Sequence, residues 1–288
     1  MYQLFEFKKR NNYLVGYHNT CENTKYVVCL VHGIGEYAGR FQRVADYFSK
    51  EGIAVLSMDL RGHGRSKGSR GNCAPRQEVL KDVDSLIEYA IELYPELPIV
   101  LYGHSMGGNI VLDYRARGGH NEIPSGYIIS APWIRLVRPI SGGLLKTVKV
   151  LSKIAPSFKI KSEIPEEQLG NVLYVKPYRE DELVHPYASA MCAYEGFTIG
   201  EKLEKGTNED NGRAKNIPCL LMHGTEDLIC SIEGSREFAK HQNPEYFKMI
   251  EWPGYYHEIH NGGPDGQTGE DVILKAIEFI KNIPTKKE

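Results

Sequence analysis

Residues 99–108 read Ile-Val-Leu-Tyr-Gly-His-Ser-Met-Gly-Gly, an apolar run that ends in a Gly-x-Ser-x-Gly corner. Such a corner lifts one serine out of a strand on strained backbone and holds its hydroxyl at the tip. Gly103 and Gly107 flank Ser105 where side chains would collide as strand folds into helix. The apolar-rich helical pattern that follows (Asn109, Ile110, Val111, Leu112, Tyr114) aims a positive N-terminal end at the serine. The bare pattern recurs by chance and also describes an ordinary Gly/Ser turn. The strand before it and the helix after it are the context that nucleophilic chemistry requires.

A serine hydroxyl is a poor nucleophile without a base, a group orienting that base, and donors for the developing oxyanion. In one known chain order over an open α/β sheet, the acid and the histidine follow the serine on later strand exits. Asp227 follows the run Cys219–Met222 in His-Gly-Thr-Glu-Asp, and His257 follows Phe247–Glu251 in Trp-Pro-Gly-Tyr-Tyr-His. Both have rivals: Glu226 adjoins Asp227, and His260 stands three residues after His257. For the oxyanion, the Met106 N–H supplies one donor, and the Ile34 N–H in Val31-His32-Gly33-Ile34-Gly35 is the candidate for the second. That glycine-rich stretch also fits a plain turn, but it is no phosphate loop, because the Lys-Ser/Thr ending is missing.

Short apolar runs alternate with longer helical patterns, the βαβ signature of a mostly parallel sheet. The runs Tyr26–Val31, Ile53–Met58, Ile99–Tyr102, Tyr127–Ser130, Cys219–Met222 and Phe247–Glu251 read as central strands covered on both faces. Tyr2–Phe7 and Leu14–His18 read as a leading antiparallel hairpin with Asn11 and Asn12 near its turn. In Arg76–Tyr94, the positions Val79, Val83, Leu86, Ile87, Ala90 and Ile91 share one helical face, and Pro95 ends the helix. Ile273, Ala276, Ile277 and Ile280 do the same in the last helix. From Pro132 to about Lys215 the alternation disappears. Residues 1–131 and 216–288 thus read as the core and 132–215 as an inserted cap, with Gly206–Arg213 a polar loop leading back.

With 288 residues, 41% hydrophobic and 25% charged, the chain has an ordinary globular composition. A formal net charge of −2, with no basic block interleaved with aromatics, argues against nucleic acid as a partner. Six scattered cysteines without a Cys-x-x-Cys pair argue against zinc or a disulfide framework and for reduced thiols inside a cell. The N-terminal residues lack a signal-peptide core, and no run approaches the roughly 18 apolar residues of a spanning helix. A cytoplasmic protein, at most peripheral at a membrane surface, is expected.

His32-Gly33-Ile34-Gly35-Glu36 with Arg40-Phe41, Asp59-Leu60-Arg61-Gly62-His63-Gly64-Arg65-Ser66, and Gly103-His104-Ser105-Met106-Gly107-Gly108 resemble the monoacylglycerol lipases and related lysophospholipases of the α/β-hydrolase superfamily. Gly224-Thr225-Glu226-Asp227 and Gly254-Tyr255-Tyr256-His257 match the remaining motifs. The likeness runs from about residue 25 to 262 and is weakest in the insertion, where Asp181–His185 still follows the pattern. It implies an α/β-hydrolase fold with a helical lid, and a Ser–Asp–His hydrolase that cleaves the ester of a single acyl chain through an acyl-enzyme. It further implies an apolar acyl tunnel, and side chains matching Glu36, Arg40 and His260 near the glycerol hydroxyls. An ion pair pinning the loop explains Glu36 and Arg40 equally well. Phe41 stands where family members often carry Tyr.

The expected substrate is therefore a lipid ester, with no metal or organic cofactor and with oligomeric state left open. Lysophospholipase, broad esterase and acyl-transfer activities share the same motifs, and a non-catalytic module that holds an apolar ligand would not need the three residues in order. Ser105 excludes dehalogenase and epoxide-hydrolase chemistry, which places Asp at that corner. In Leu144–Ala155, Leu144, Leu145, Val148, Leu151 and Ala155 share a face opposite Lys146, Lys149 and Lys153. That pattern suits either a cap helix packed on the core or transient contact with a membrane surface. Cys230, three residues beyond Asp227, is expected near the site, with a buried inert thiol as the plain alternative.

Overall fold

Strands covered on both faces need apolar side chains in both directions, and the Val/Ile/Leu runs form the middle of one eight-stranded sheet. In the computed structural model, residues 2–9, 12–161, 164–208 and 213–284 are described. The strands are β1 (Tyr2–Lys9), β2 (Asn12–Asn19), β3 (Tyr26–Val31), β4 (Ile53–Met58), β5 (Ile99–His104) and β6 (Gly126–Ser130). A short pair, β7 (Lys159–Lys161) and β8 (Tyr187–Ser189), stands apart, and β9 (Cys219–Gly224) and β10 (Phe247–Trp252) complete the sheet. The order is β1-β2-β4-β3-β5-β6-β9-β10. The leading hairpin is antiparallel and joins β4 antiparallel, and all other pairs are parallel. Of its expected turn residues, Asn12 opens β2 and Asn11 lies outside the described residues.

Every residue of β3, β4, β5, β6 and β9 is buried. The Phe247–Glu251 run departs from expectation: β10 is the sheet's edge, so Lys248 and Glu251 face solvent. Alternate strand residues feed two layers. Val27, Cys29, Leu101 and Ile129 pack with Val83 and Leu86 of α2 (Arg76–Leu93) and Val111 of α3 (Met106–Arg117). Val28, Leu30, Val100 and Ile128 pack with Phe48 of α1 (Gln42–Lys50) and with Ile273 and Ile277 near the C-terminus. Each such fully buried Leu, Ile or Val contributes about 1.5–3 kcal/mol. Ile91, expected on the α2 stripe, is 38% exposed, because one residue beyond Ala90 turns it about 100° away from that face.

Parallel neighbours such as β6 and β9 require a crossover, usually helical. Between them run α4 (Gly142–Ile154), β7, β8 and α5 (Ala190–Glu204). Helix α5 was not foreseen. It starts where Ser189 Oγ accepts the Cys192 N–H at 3.1 Å, and it buries Cys192, Ile199 and Leu203 in the same layer as α3. Gly196 lies against the Trp133 ring, where a Cβ would come within 2.8 Å. Thus α5 is the crossover helix of the sheet, although it falls inside the stretch 132–215. Helix α4 sits differently: only Val148 and Ser152 are buried, Leu145 and Leu151 are half-buried, and Leu144 is 53% exposed. Of the polar return loop, residues 209–212 lie outside the described residues. Two further helices, α6 (Ile232–Ala239) and α7 (Glu270–Lys281), flank β9 and β10, and the four predicted apolar positions of α7 are all buried.

Candidate active site

Ser105 caps α3 with φ 55° and ψ −116°, a left-handed conformation that costs a non-glycine residue of order 1–3 kcal/mol. The surroundings over-determine it. Ser105 N–H donates to Ser130 O at 2.9 Å, while Ser105 O accepts from Asn109 N at 3.0 Å and Trp133 N at 2.9 Å. The corner is tight enough that a Cβ on Gly107 would stand 2.1 Å from Val31 O. Met106 opens α3, where the first N–H groups of a helix have no intrahelical acceptor.

The exits of β9 and β10 are laced together. Thr225 N–H reaches Trp252 O at 3.0 Å, Glu226 N–H reaches Tyr255 O at 3.1 Å, and Gly254 N–H reaches Thr225 Oγ1 at 3.0 Å. On this frame His257 Nε2 lies 2.9 Å from Ser105 Oγ, and Nδ1 lies 2.7 Å from Asp227 Oδ2. A carboxylate accepts only, so Nδ1 carries the proton and Nε2 faces the serine hydroxyl as acceptor. Asp227 Oδ1 accepts the Ile229 and Cys230 N–H groups at 2.8 and 2.9 Å. The rivals separate by position: Glu226 is exposed, and His260 stacks on Phe41 with ring centroids 4.8 Å apart.

Burial alone would push the Asp227 carboxyl up, but His257 and His223 hold it well below the usual carboxylate range. Burial alone would lower His257, yet the Asp227, Glu258 and Glu36 carboxyls outweigh it and hold the imidazole above its ordinary pKa. His223 escaped the sequence reading, although it directly precedes the Gly-Thr-Glu-Asp motif. It is the penultimate residue of β9 and is buried, with Nε2 3.1 Å from Asp227 Oδ2 and Nδ1 2.8 Å from Ser235 Oγ. Glu258, adjacent to His257, was also missed. It accepts from Tyr178 Oη at 3.2 Å and from Asn261 Nδ2 at 2.7 Å.

Glu36, Arg40 and His260, expected at the alcohol end of a substrate, lie outside the walls of the cavity that opens on Ser105. Glu36 is buried with Oε1 accepting the Gly33 N–H at 2.6 Å. Arg40 stands 3.7 Å from Glu36, 3.8 Å from Glu258 and 3.9 Å from Asp181, and its guanidinium lies 4.4 Å over the Tyr178 ring. Arg40 is thus ion-paired with Glu36, while Arg40 Nε and His260 Nδ1 are buried without a hydrogen-bond partner among the described residues. Burial pushes His260 down to about 4. Burial and the neighbouring Glu258 push Glu36 up from the carboxylate range.

The cavity at Ser105 holds about 690 Å³ and is walled mainly by apolar side chains, among them Ile34, Trp133, Leu136, Leu151, Phe158 and Phe197. Among the described residues, its charged lining residues are Arg138, Lys159 and Lys161, all cationic. Cys230 is buried in its wall, where burial and the Asp227 charge push the thiol well above its ordinary pKa. A second cavity of about 690 Å³ adjoins it at Ile34, Lys161 and Ile164 and is lined by polar side chains such as Tyr178, Asp181 and His185. Among the described residues, no group of three or more His, Cys, Asp or Glu could hold a metal ion, and no helix is long and apolar enough to cross a membrane.

A mostly parallel sheet with helices on both faces and a serine at the strand–helix corner defines an α/β-hydrolase. Residues 22–263 match the family described as "Serine aminopeptidase, S33". The chain is 32% identical over 255 residues to the monoacylglycerol lipase of Mycolicibacterium smegmatis, covering 88% of this chain and 89% of the relative. It is 30% identical to the phospholipase YtpA of Bacillus subtilis, covering 88% and 94%. The crystal structure of Paleococcus ferrophilus monoacylglycerol lipase superposes with a TM-score of 0.81 at 28% identity, covering 96% and 100%. The chain belongs to this α/β-hydrolase family in its monoacylglycerol-lipase-like branch and is a carboxylic-ester hydrolase.

Proposed function

We propose that the protein hydrolyses monoacylglycerols, with Ser105, His257 and Asp227 as a catalytic triad and the Ile34 and Met106 N–H groups as the oxyanion hole. One observation carries this assignment: the hydrogen-bonded chain from Ser105 Oγ through His257 to Asp227, at the end of an apolar cavity. His257 takes the Ser105 proton as the oxygen attacks the ester carbonyl, and Asp227 stabilises the imidazolium that forms. The two N–H groups receive the charge on the carbonyl oxygen. Collapse expels glycerol, protonated by His257. Water then attacks the acyl-enzyme with His257 as base, and the fatty acid leaves. The acyl chain occupies the apolar cavity, whose burial of methylenes supplies about 0.8 kcal/mol each.

Residues 132–189 form the lid of this site, and the exposed Leu144, Val150, Ile154 and Phe158 beside Lys146, Lys149 and Lys153 suit transient contact with a lipid surface. A peptide's free amino group would meet Arg138, Lys159 and Lys161 and, among the described lining residues, no carboxylate. That disfavours an aminopeptidase. A lysophospholipase is the second reading, favoured by the Bacillus subtilis relative and by the polar cavity next to Ile34. Fluorophosphonate labelling tests the nucleophile: an adduct on Ser105 is expected, and its absence overturns the assignment. Turnover of 1- and 2-acylglycerols beside lysophosphatidylcholine tests the substrate. Preference for the lysophospholipid reverses the two readings.

A further inference from the structure

The Ile34 loop lies beyond the last ladder pairs of β3, Val31 with Met58 and Val31 with Gly103, so the sheet does not fix its peptide planes. Two side chains do. Gly33 N–H, in the peptide unit of residues 32–33, donates to Glu36 Oε1 at 2.6 Å. Gly33 O, in the next peptide unit, lies 2.7 Å from His32 Nδ1. That second unit also carries the Ile34 N–H, which in a planar trans peptide points opposite to the Gly33 carbonyl. His32 Nε2 accepts the Leu60 N–H at 2.9 Å, so the ring is the Nδ1–H tautomer and donates to Gly33 O. Gly33 itself is clamped against the nucleophile, since a Cβ there would stand 3.1 Å from Ser105 Cβ and 2.7 Å from Glu36 Oε1. Arg40 holds the Glu36 carboxylate at 3.7 Å.

We propose that His32 and Glu36 are positioning residues that fix the two peptide planes flanking Gly33 and thereby aim the Ile34 N–H at the oxyanion. The proposal rests on reading Ser105 as the nucleophile. Glu36 acts through its acceptor oxygen rather than through contact with the alcohol, and His32 acts through one tautomer that burial keeps uncharged.

Glu36→Ala and Glu36→Gln are compared with the wild type on one ester, together with affinity for an acyl trifluoromethyl ketone. This probe adds Ser105 Oγ to its carbonyl carbon, passes the serine proton to His257 and places its oxyanion in the hole. In Glu36→Ala, kcat is expected to fall roughly 10–100-fold with KM unchanged, since loss of a full oxyanion donor costs about 10²–10³. Ketone affinity should fall by the same factor. Glu36→Gln keeps an acceptor for Gly33 N–H and should recover kcat to within about threefold. A raised KM at constant kcat, unchanged ketone affinity, or a glutamine variant as slow as the alanine one overturns the proposal. For His32, ring ¹⁵N shifts should report a protonated Nδ1 that does not titrate above pH 5, and the opposite tautomer overturns its part. Ser105→Ala serves as the control: if wild-type ketone binding survives in it, the nucleophile assignment fails instead.

Discussion

The floor and the roof of the Ser105 cavity are built on opposite terms. The floor sits on the exits of β5, β9 and β10, where Asp227 alone meets two backbone N–H groups and two imidazoles. The roof is α4, a 13-residue helix in which Val148 and Ser152 are the buried residues. On the function proposed above, geometry that must hold to tenths of an ångström is fastened to the sheet, and the α4 surface beside the apolar cavity is left with few buried anchors. Changes to the floor should therefore cost chemistry, and changes to the roof should cost access.

The largest effect belongs to Ser105→Ala, where kcat should drop by roughly 10⁴ or more with the fold intact. An active variant would remove the floor from the comparison altogether. Asp227→Asn should cost about 10⁴ in kcat by misorienting His257. It should also move the acid limb of the pH profile. In the wild type His257 is held above the ordinary pKa of an imidazole, so activity should fall as pH drops through that raised value and the imidazole takes up a proton. Loss of the Asp227 charge disfavours the imidazolium and shifts that limb to lower pH. A limb that stays put denies the coupling. On the roof, Val150→Glu with Ile154→Glu should lower turnover of micellar substrate roughly tenfold and spare a short soluble ester. These two are exposed and outside the cavity wall, whereas Leu151 lines it and would disturb both substrates. Equal losses on both esters would merge roof and floor. In thermal or denaturant unfolding, Leu101→Ala should cost about 2–5 kcal/mol. Leu144→Ala should stay within about 0.5 kcal/mol, and a larger loss would mean the roof is anchored after all.

The same contrast governs what could be read from the chain. Five interior strands announce themselves because two buried faces force mostly apolar runs rich in Val, Ile and Leu, and the motifs at their exits sit where backbone geometry dictates residue type. Ser105 at a corner closed by Gly107 is legible for that reason. Partners that depend on three-dimensional return of the chain were not: His223 looked like a strand end, and Tyr178 meets Glu258 across 80 residues. Helix α5 was hidden because Gly196 and Gly200, which lower helix propensity, are required by close contact with Trp133 and Ile134. Edge strand β10 was mistaken for a central one because Phe247, Met249 and Ile250 resemble a covered strand, and only pairing shows that one side is open.

Because α5 already supplies the crossover from β6 to β9, the chain between Pro132 and Ser189 is a detour in an otherwise complete βαβ unit. Detours of this kind are thermodynamically cheap to resize, since doubling a loop adds only about 0.6 kcal/mol of closure entropy. The fold thus separates two evolutionary problems. On the function proposed above, exchanging the detour would change the preference for an acyl chain or headgroup and leave the strand exits with Ser105, Asp227 and His257 as they are. For protein engineering, the grafting points are the residues just before α4 and at the start of α5, with Gly196 and Trp133 kept as the seam.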